Sequence, residues 1–196
     1  TRRSSDLPYP DFTADVIEHA GNGRLIQYDI QTGKAKTLLK NLQFANGVAV
    51  SKDGQFVLVN ETGAYRITRY WLQGPKAGQH EVFADNLPGL PDNIRTDEQG
   101  RFWVAIPSTR IPITDWVADK PAVRKVLIKL LKHVKFPVKP YAMALAFDPS
   151  GQLVANLQAH TAGGYSYITQ VTPVGNLLVF NSVNTLGMAV IERPAL

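Results

Sequence analysis

Few residues in this sequence combine a reactive side chain with a spacing that supports catalysis. The sequence has no cysteine, which excludes thiol nucleophiles, disulfides and zinc sites built on thiolates. Its four histidines show no metal-ligand spacing, and His160, in a Gly-rich loop, is the one placed as a candidate general base. Glu61 follows a predicted strand, and Arg66 and Arg69 lie on the next, so a cross-strand ion pair is expected rather than a catalytic site. The chemistry therefore depends on which side chains the fold brings together.

Short alternations of apolar and polar residues, bounded by turn sequences, recur through most of the chain. A period of two places successive side chains on opposite faces of an extended segment, which predicts β-strands. The predicted strands cover residues 23–29, 47–50, 56–59, 65–72, 102–106, 142–147 and 177–180. Two of the turns between them, 51–54 and 97–100, end in glycine, which adopts positive φ without strain. The pattern indicates an all-β protein.

The sequence also contains an internal repeat. Residues 46–59 align with residues 92–105 at an offset of 46, which places Asn46 opposite Asp92 at the head of the two copies. A period of this length, built from hairpins, is typical of the four-stranded blades of a β-propeller, because each blade needs neighbours to bury its faces. We therefore predict one partial β-propeller domain over residues 1–196, with about three blades. Since such a set cannot close a ring, further blades before Thr1 are expected, with closure by a second copy of the chain as the alternative.

One segment departs from the β pattern. Apolar residues recur at helical spacing between residues 114 and 136, which predicts an amphipathic helix inserted in the propeller. Its other face carries Arg124, Lys125, Lys129 and Lys132. The helix is expected to pack on the propeller as a surface or lid helix, and contact with a membrane surface, aided by Trp116, is the alternative. The formal net charge of +5 comes with no nucleic-acid-binding motif, so nucleic acid is not an expected partner.

Several longer motifs are more specific than the strand pattern. They are FANGVA at 44–49, VLVNET at 57–62, RITRYW at 66–71, NLPGLPDNI at 86–94 and FWV at 102–104. Together they resemble the strictosidine synthase-like family, most strongly over about residues 16–110. The animal members of that family resemble this chain more closely than the true synthases do. The resemblance implies a six-bladed β-propeller, of which this chain would represent roughly the C-terminal half.

The resemblance also implies a position for the catalytic acid and base. In the true synthases this residue is a glutamate on an inner strand of the last blade, where a tuned carboxyl group transfers protons. The matching segment here, residues 167–171, has Thr169 or Gln170 where that glutamate would lie. Because neither side chain transfers protons at neutral pH, strictosidine synthesis is not expected.

A metal site is implied in the same way. Related propellers include calcium-dependent lactonases and phosphotriesterases, in which oxygen-bearing side chains of the inner strands hold one ion. By position, Asn46 and Asp92 match two of those ligands, and Asn93 adjoins Asp92. The alternative is that these residues are turn and strand-cap residues whose side chains satisfy backbone groups.

Two functions are consistent with the sequence. The resemblance favours a hydrolase of small-molecule esters or lactones, similar to arylesterases and lactonases, with one calcium ion. The alternative is a catalytically inactive propeller remnant that acts as a binding or membrane-associated module.

Overall fold

The structure is a computed structural model that describes residues 21–110, 112–117, 119–120, 122–124, 126–127, 141–159 and 164–195. Its strands are β1 (Gly23–Tyr28), β2 (Ala35–Leu42), β3 (Ala45–Val50), β4 (Phe56–Glu61), β5 (Arg66–Trp71), β6 (His80–Ala84), β7 (Ile94–Thr96), β8 (Phe102–Ile106), β9 (Ala142–Phe147), β10 (Leu153–Ala159), β11 (Ile168–Val174), β12 (Leu177–Ser182) and β13 (Met188–Glu192). A short 3₁₀ turn (Thr62–Ala64) follows β4, and helix α1 (Pro112–Val117) follows β8.

Within the described residues, the strands form four antiparallel sheets in which neighbours in sequence pair. Sheet 1 is β1–β2, sheet 2 is β3 to β6, sheet 3 is β7 to β10, and sheet 4 is β11 to β13. Sheets 2 and 3 contain the two copies of the sequence repeat. Four-stranded meanders of this kind are the blades of a β-propeller, so the predicted fold class is confirmed.

The hydrophobic core lies between the sheets. One cluster joins sheets 1 and 2, a second joins sheets 2 and 3, and a third joins sheets 3 and 4. Phe102 and Trp103 are adjacent on β8 and fully buried, but Phe102 belongs to the cluster with sheet 2 and Trp103 to the cluster with sheet 4. A strand buried on both faces has no need for polar alternation, which explains the continuous apolar sequence of β8.

The inner strands β3, β7 and β11 lie side by side at the centre of this arrangement. The N–H of Gly47 on β3 donates to Asp92 O at 3.0 Å, and Thr96 Oγ1 donates to Val50 O at 2.7 Å. Thr96 and Val50 are one repeat length apart. A Cβ at position 47 would lie 2.5 Å from Asp92 O, so glycine permits the close approach of sheets 2 and 3.

The helical segment interrupts sheet 3 between its second and third strands. Helix α1 begins at Pro112, and residues 122–124 and 126–127 are also helical. The described helical residues begin two positions before the predicted span of 114–136, and Asp119 and Lys120 within that span are not helical, so the single continuous helix stays a prediction. Residues 128–136 lie outside the described residues. Val117 is fully buried, whereas Val123 is exposed. In the described part of the chain, no helix has the length and apolar character to cross a membrane.

Sheet 4 has one face packed on sheet 3 and another that carries exposed apolar side chains. Leu178 and Phe180 of β12 are buried against sheet 3. Met188 and Val190 of β13 are 67% and 54% exposed. Sheet 4 therefore has an apolar face that no described strand covers.

Candidate functional site

The heads of the three inner strands meet at one place and bring together four of the residues singled out in the sequence. Asn46 lies on β3, Asp92 and Asn93 directly precede β7, and Thr169 lies on β11. All four are half-buried. We call this group the strand-head site.

The peptide group between Asp92 and Asn93 connects all three inner strands. Its carbonyl oxygen accepts hydrogen bonds from Gly47 N at 3.0 Å and from Asn60 Nδ2 at 2.7 Å, both in sheet 2. Its N–H donates to Thr169 O of sheet 4 at 3.1 Å. The peptide is therefore held from both sides, and the side chains of Asp92 and Asn93 start from a fixed backbone.

The side-chain amides of Asn46 and Asn93 are tied to the protein through their nitrogen atoms. Asn46 Nδ2 donates to Thr62 Oγ1 at 3.2 Å, and Asn93 Nδ2 donates to Thr169 O at 2.8 Å. Within the described residues, no hydrogen bond is made to the Oδ1 atom of either asparagine. Both side chains thus donate hydrogen bonds to oxygen atoms of the protein, as expected if they are turn and strand-cap residues. Each also keeps a side-chain carbonyl oxygen for another partner.

The oxygen atoms of this site are of the kind that a hard cation prefers. A cation such as Ca²⁺ takes carboxylate and amide oxygens as ligands, and Asp92 supplies a carboxylate beside the two amides. Among the described residues, no group of three or more His, Cys, Asp or Glu side chains could hold a metal ion. The assignment of Asn46 and Asp92, with Asn93, as metal ligands therefore stays a prediction.

The segment expected to match the family's catalytic glutamate carries neutral residues, Thr169 and Gln170. Thr169 accepts two hydrogen bonds from Asn93 at its carbonyl oxygen, and its Oγ1 lies 3.5 Å from Asn181 O. Gln170 Nε2 donates to Thr172 Oγ1 at 2.8 Å. Thr169 therefore contributes to the site through its backbone, and neither residue supplies an acid or a base.

Glu61 is buried close to the site but is fully engaged. Its side chain is 0% exposed and accepts hydrogen bonds from Arg66 Nε at 2.8 Å, Thr68 Oγ1 at 2.6 Å and Gln43 N at 2.9 Å. Arg66 is its cross-strand partner, so the predicted ion pair is confirmed. Because the Gln43 bond holds the loop that leads into β3, Glu61 anchors the segment that carries Asn46.

Arg69, the other arginine of β5, has a different role from the one that its spacing suggested. Its guanidinium lies 4.4 Å from the ring centre of Phe56 and 4.6 Å from that of Phe83, and Nη2 donates to Pro149 O at 2.7 Å. Its ion-pair partner is Glu81, at 3.4 Å. Arg69 therefore connects sheets 2 and 3 rather than serving Glu61.

Sequence reasoning missed Asn60 and Thr62 as contributors to the site. Both follow the apolar run of β4, and both donate to the segment before β7: Asn60 to Asp92 O and Thr62 Oγ1 to Pro91 O at 2.6 Å. The signal available in the sequence was the apolar run 56–59, typical of a buried strand, followed directly by the polar residues 60–62.

The helical segment is described in part. Arg124 is half-buried. Lys125, Lys129 and Lys132 of the basic face, and the candidate base His160, lie outside the described residues. Trp116 is 57% exposed, and Lys120 Nζ lies 4.8 Å from its ring centre.

Comparison with known sequences identifies related proteins. The family model described as strictosidine synthase matches residues 1–75. Adipocyte plasma membrane-associated protein of Rattus norvegicus is 37% identical over 187 residues, which cover 86% of this chain and 50% of that protein. Strictosidine synthase-like protein 10 of Arabidopsis thaliana is 39% identical over 189 residues, which cover 93% of this chain and 50% of that protein. The chain thus spans about half the length of the curated relatives it matches.

Solved structures with the same fold are more distant in sequence. Regucalcin of Agrobacterium tumefaciens, described as a calcium-binding protein, superposes with a TM-score of 0.54 at 17% identity, over 87% of this chain and 48% of that chain. A gluconolactonase of Xanthomonas campestris superposes with a TM-score of 0.53 at 18% identity, over 82% of this chain and 42% of that chain. At 17% and 18% identity, the similarity to these structures shows a shared fold only.

Proposed function

The chain belongs to the strictosidine synthase-like family, and we propose that it acts as a calcium-dependent hydrolase of small-molecule esters or lactones and not as a strictosidine synthase. One observation carries the proposal. The strand-head site places Asp92, Asn46 and Asn93 at the heads of adjacent inner strands. The side-chain nitrogen of Asn46 donates to Thr62 Oγ1, and that of Asn93 donates to Thr169 O and lies 3.4 Å from Asp92 Oδ1, which leaves the two amide oxygens for another partner.

The chemistry of these oxygens fits a calcium ion. A bound calcium ion would polarise a substrate carbonyl and lower the pKa of a bound water molecule. Asn46 and Asp92 would hold it, with Asn93 beside them. The chain's own contribution is preorganisation, because hydrogen bonds from sheets 2 and 4 fix the backbone that carries Asp92 and Asn93.

The absence of a carboxyl group at Thr169 and Gln170 supports hydrolysis over condensation. Condensation in the true synthases needs a glutamate at this position, whereas polarisation of an ester by a cation does not. The fold is compatible with this chemistry, since a gluconolactonase and a calcium-binding protein share it.

The proposal is tested by measuring cation binding and hydrolysis on the same purified protein. Terbium luminescence and calcium calorimetry report binding, and initial rates with phenyl acetate and simple lactones, with and without chelator, report activity. Asp92→Asn removes the charge while keeping the shape, so we expect binding weaker by about tenfold or more, with a parallel loss of rate.

Glu98→Gln is the matched control, because Glu98 is an exposed carboxylate on the β7–β8 turn of the same sheet. It should leave both readouts at the wild-type level. Hydrolysis that persists in chelator, or cation affinity unchanged in Asp92→Asn, would contradict the proposal.

A second candidate function is membrane association by a catalytically inactive propeller module. The observation that favours it is a group of exposed apolar side chains in the helical segment: Trp116, Val123 and Val126 are 57%, 39% and 59% exposed. Lys120 Nζ lies 4.8 Å from the Trp116 ring centre, and Arg124 is adjacent to Val123 in sequence, a combination of basic and apolar residues suited to anionic lipid. The relative from Rattus norvegicus is named for association with the plasma membrane.

Co-sedimentation with vesicles containing phosphatidylserine tests this candidate. Trp116→Ser combined with Val126→Ser should reduce the bound fraction, whereas Val82→Ser, at a similarly exposed valine on β6, should not. Equal sedimentation of the two variants, or no sedimentation of the wild type, would exclude the candidate.

A further inference from the structure

Asn60 is a buried polar residue whose hydrogen bonding is incomplete. It is the penultimate residue of β4, is 0% exposed, and is paired across the sheet with Ile67, which is also fully buried. Its Nδ2 donates to Asp92 O at 2.7 Å. Its Oδ1 is buried and accepts no hydrogen bond from the described residues.

An apolar residue would suit this position better if stability alone mattered. A buried acceptor without a donor lowers the free energy of unfolding. The bond made by Nδ2 is not needed to satisfy Asp92 O, because that oxygen already accepts a hydrogen bond from Gly47 N at 3.0 Å. Removing the amide would therefore eliminate an unsatisfied acceptor without creating another.

The contact that Asn60 does make acts directly on the strand-head site. Asp92 O and Asn93 N–H belong to one peptide group, and the side chains of Asp92 and Asn93 leave the backbone on either side of it. A second donor to the carbonyl restricts rotation of that peptide more than the Gly47 bond does alone. Thr62, two residues further along, holds Pro91 O in the same way at 2.6 Å.

We propose that Asn60 is a positioning residue for Asp92 and Asn93, retained for site geometry and at the expense of stability. The proposal rests on the proposed cation site, since it is the ligand oxygens of that site that Asn60 would orient. Asn60 acts through the Asp92–Asn93 peptide and does not itself contact the ion.

The test is the Asn60→Val variant, which removes the amide and keeps a β-branched, strand-compatible side chain. We expect Asn60→Val to bind terbium and calcium about tenfold more weakly than the wild type, because the loss of a group that orients metal ligands typically has an effect of this size. We expect the Tm of this variant to be unchanged or higher. Ile67→Val is the matched control, because it alters packing at the cross-strand neighbour without touching the Asp92–Asn93 peptide. It should lower Tm and leave cation affinity unchanged.

Two results would overturn the proposal. The first is a cation affinity of Asn60→Val within about twofold of that of the wild type. The second is a fall in the Tm of Asn60→Val as large as that of Ile67→Val, with an equal loss of cation affinity in both variants. If valine does not fit, Asn60→Ala removes the same donor without bulk, and the same comparison of affinity applies.

Amide hydrogen exchange of Asn93, measured without cation, separates this proposal from the proposed function. Faster exchange at Asn93 in Asn60→Val shows that the peptide is loosened, even if the wild type binds no terbium and the cation site is abandoned. Unchanged exchange at Asn93 overturns the positioning role whatever the cation binding shows.

Discussion

Gly47 is the position at which the packing of sheets 2 and 3 can be tested with a single methyl group. In Gly47→Ala the new Cβ would lie 2.5 Å from Asp92 O, 2.6 Å from Ile94 N and 2.7 Å from the Cα of Asn93. All three are backbone atoms, so no side-chain rotation relieves the contact. The two inner strands must separate by several tenths of an ångström, and the hydrogen bond from Gly47 N to Asp92 O is weakened or lost.

The magnitude follows from these two effects. Overpacking in a close-packed region costs about 1–3 kcal/mol, and the loss of one backbone hydrogen bond adds about 1 kcal/mol, so we expect a loss of about 2–4 kcal/mol. For a chain of this length that corresponds to a fall in Tm of about 5–15 °C. Thermal unfolding followed by circular dichroism measures it, and cation affinity should fall as well because Asp92 moves.

Gly63→Ala is the control for the loss of a glycine. The nearest atom to its Cβ would be Gln43 O at 3.4 Å, an ordinary contact, so its stability should stay within about 0.5 kcal/mol of wild type. A Gly47→Ala protein as stable as Gly63→Ala would refute the inference that glycine is required for β3 to approach β7.

The remaining predictions concern charge and association. Burial raises the pKa of Asp97, but hydrogen bonds from Trp103 and Arg101 and the charge of Arg101 more than offset it, so the pKa lies below its usual value. The ionised Asp97 therefore stabilises the fold above about pH 4, and this stabilisation is lost as the pH falls through the folded-state pKa. In Asp97→Asn, the decrease of Tm at acid pH should be smaller than in the wild type. Glu61→Ala removes the acceptor of the buried Thr68 hydroxyl and the ion-pair partner of Arg66, and should lower the free energy of unfolding by about 3 kcal/mol in a denaturant titration. Glu81→Ala, at a carboxylate whose side chain is 39% exposed, should cost about 1 kcal/mol or less, and a larger loss than for Glu61→Ala would contradict the ranking. Closure of a ring by a second copy is the alternative to further blades before Thr1: under this alternative, sedimentation velocity should show association of this chain that Val190→Lys, on the exposed face of sheet 4, abolishes, and a monomer would exclude it.

The strands at the centre of each sheet could be predicted from the sequence because burial shapes their composition. The predicted segments 102–106 and 142–147 coincide with β8 and β9, whose residues are almost all buried. Strands β2, β6, β7, β10, β11 and β13 were not predicted, and each lies at an edge of its sheet. Strands β6, β10 and β13 also have several exposed positions and no clean alternation. The repeat compensated for this gap, because it indicated four-stranded units even where single strands were unclear.

The sequence by itself determined the propeller blades and the correspondence of Asn46 with Asp92, because period-two burial and turn chemistry are local properties. The tertiary structure alone decided which donors reach the Asp92–Asn93 peptide. It also decided that Glu61 binds Arg66, while Arg69 lies against aromatic rings of sheet 2 and donates to Pro149 O of sheet 3. These choices depend on residues distant in sequence, such as Asn60 and Asp92, and on sub-ångström differences in approach that no local pattern encodes. The physical reason is that a side-chain hydrogen bond requires its partner within about 3 Å, a condition that only the packing of whole sheets can meet.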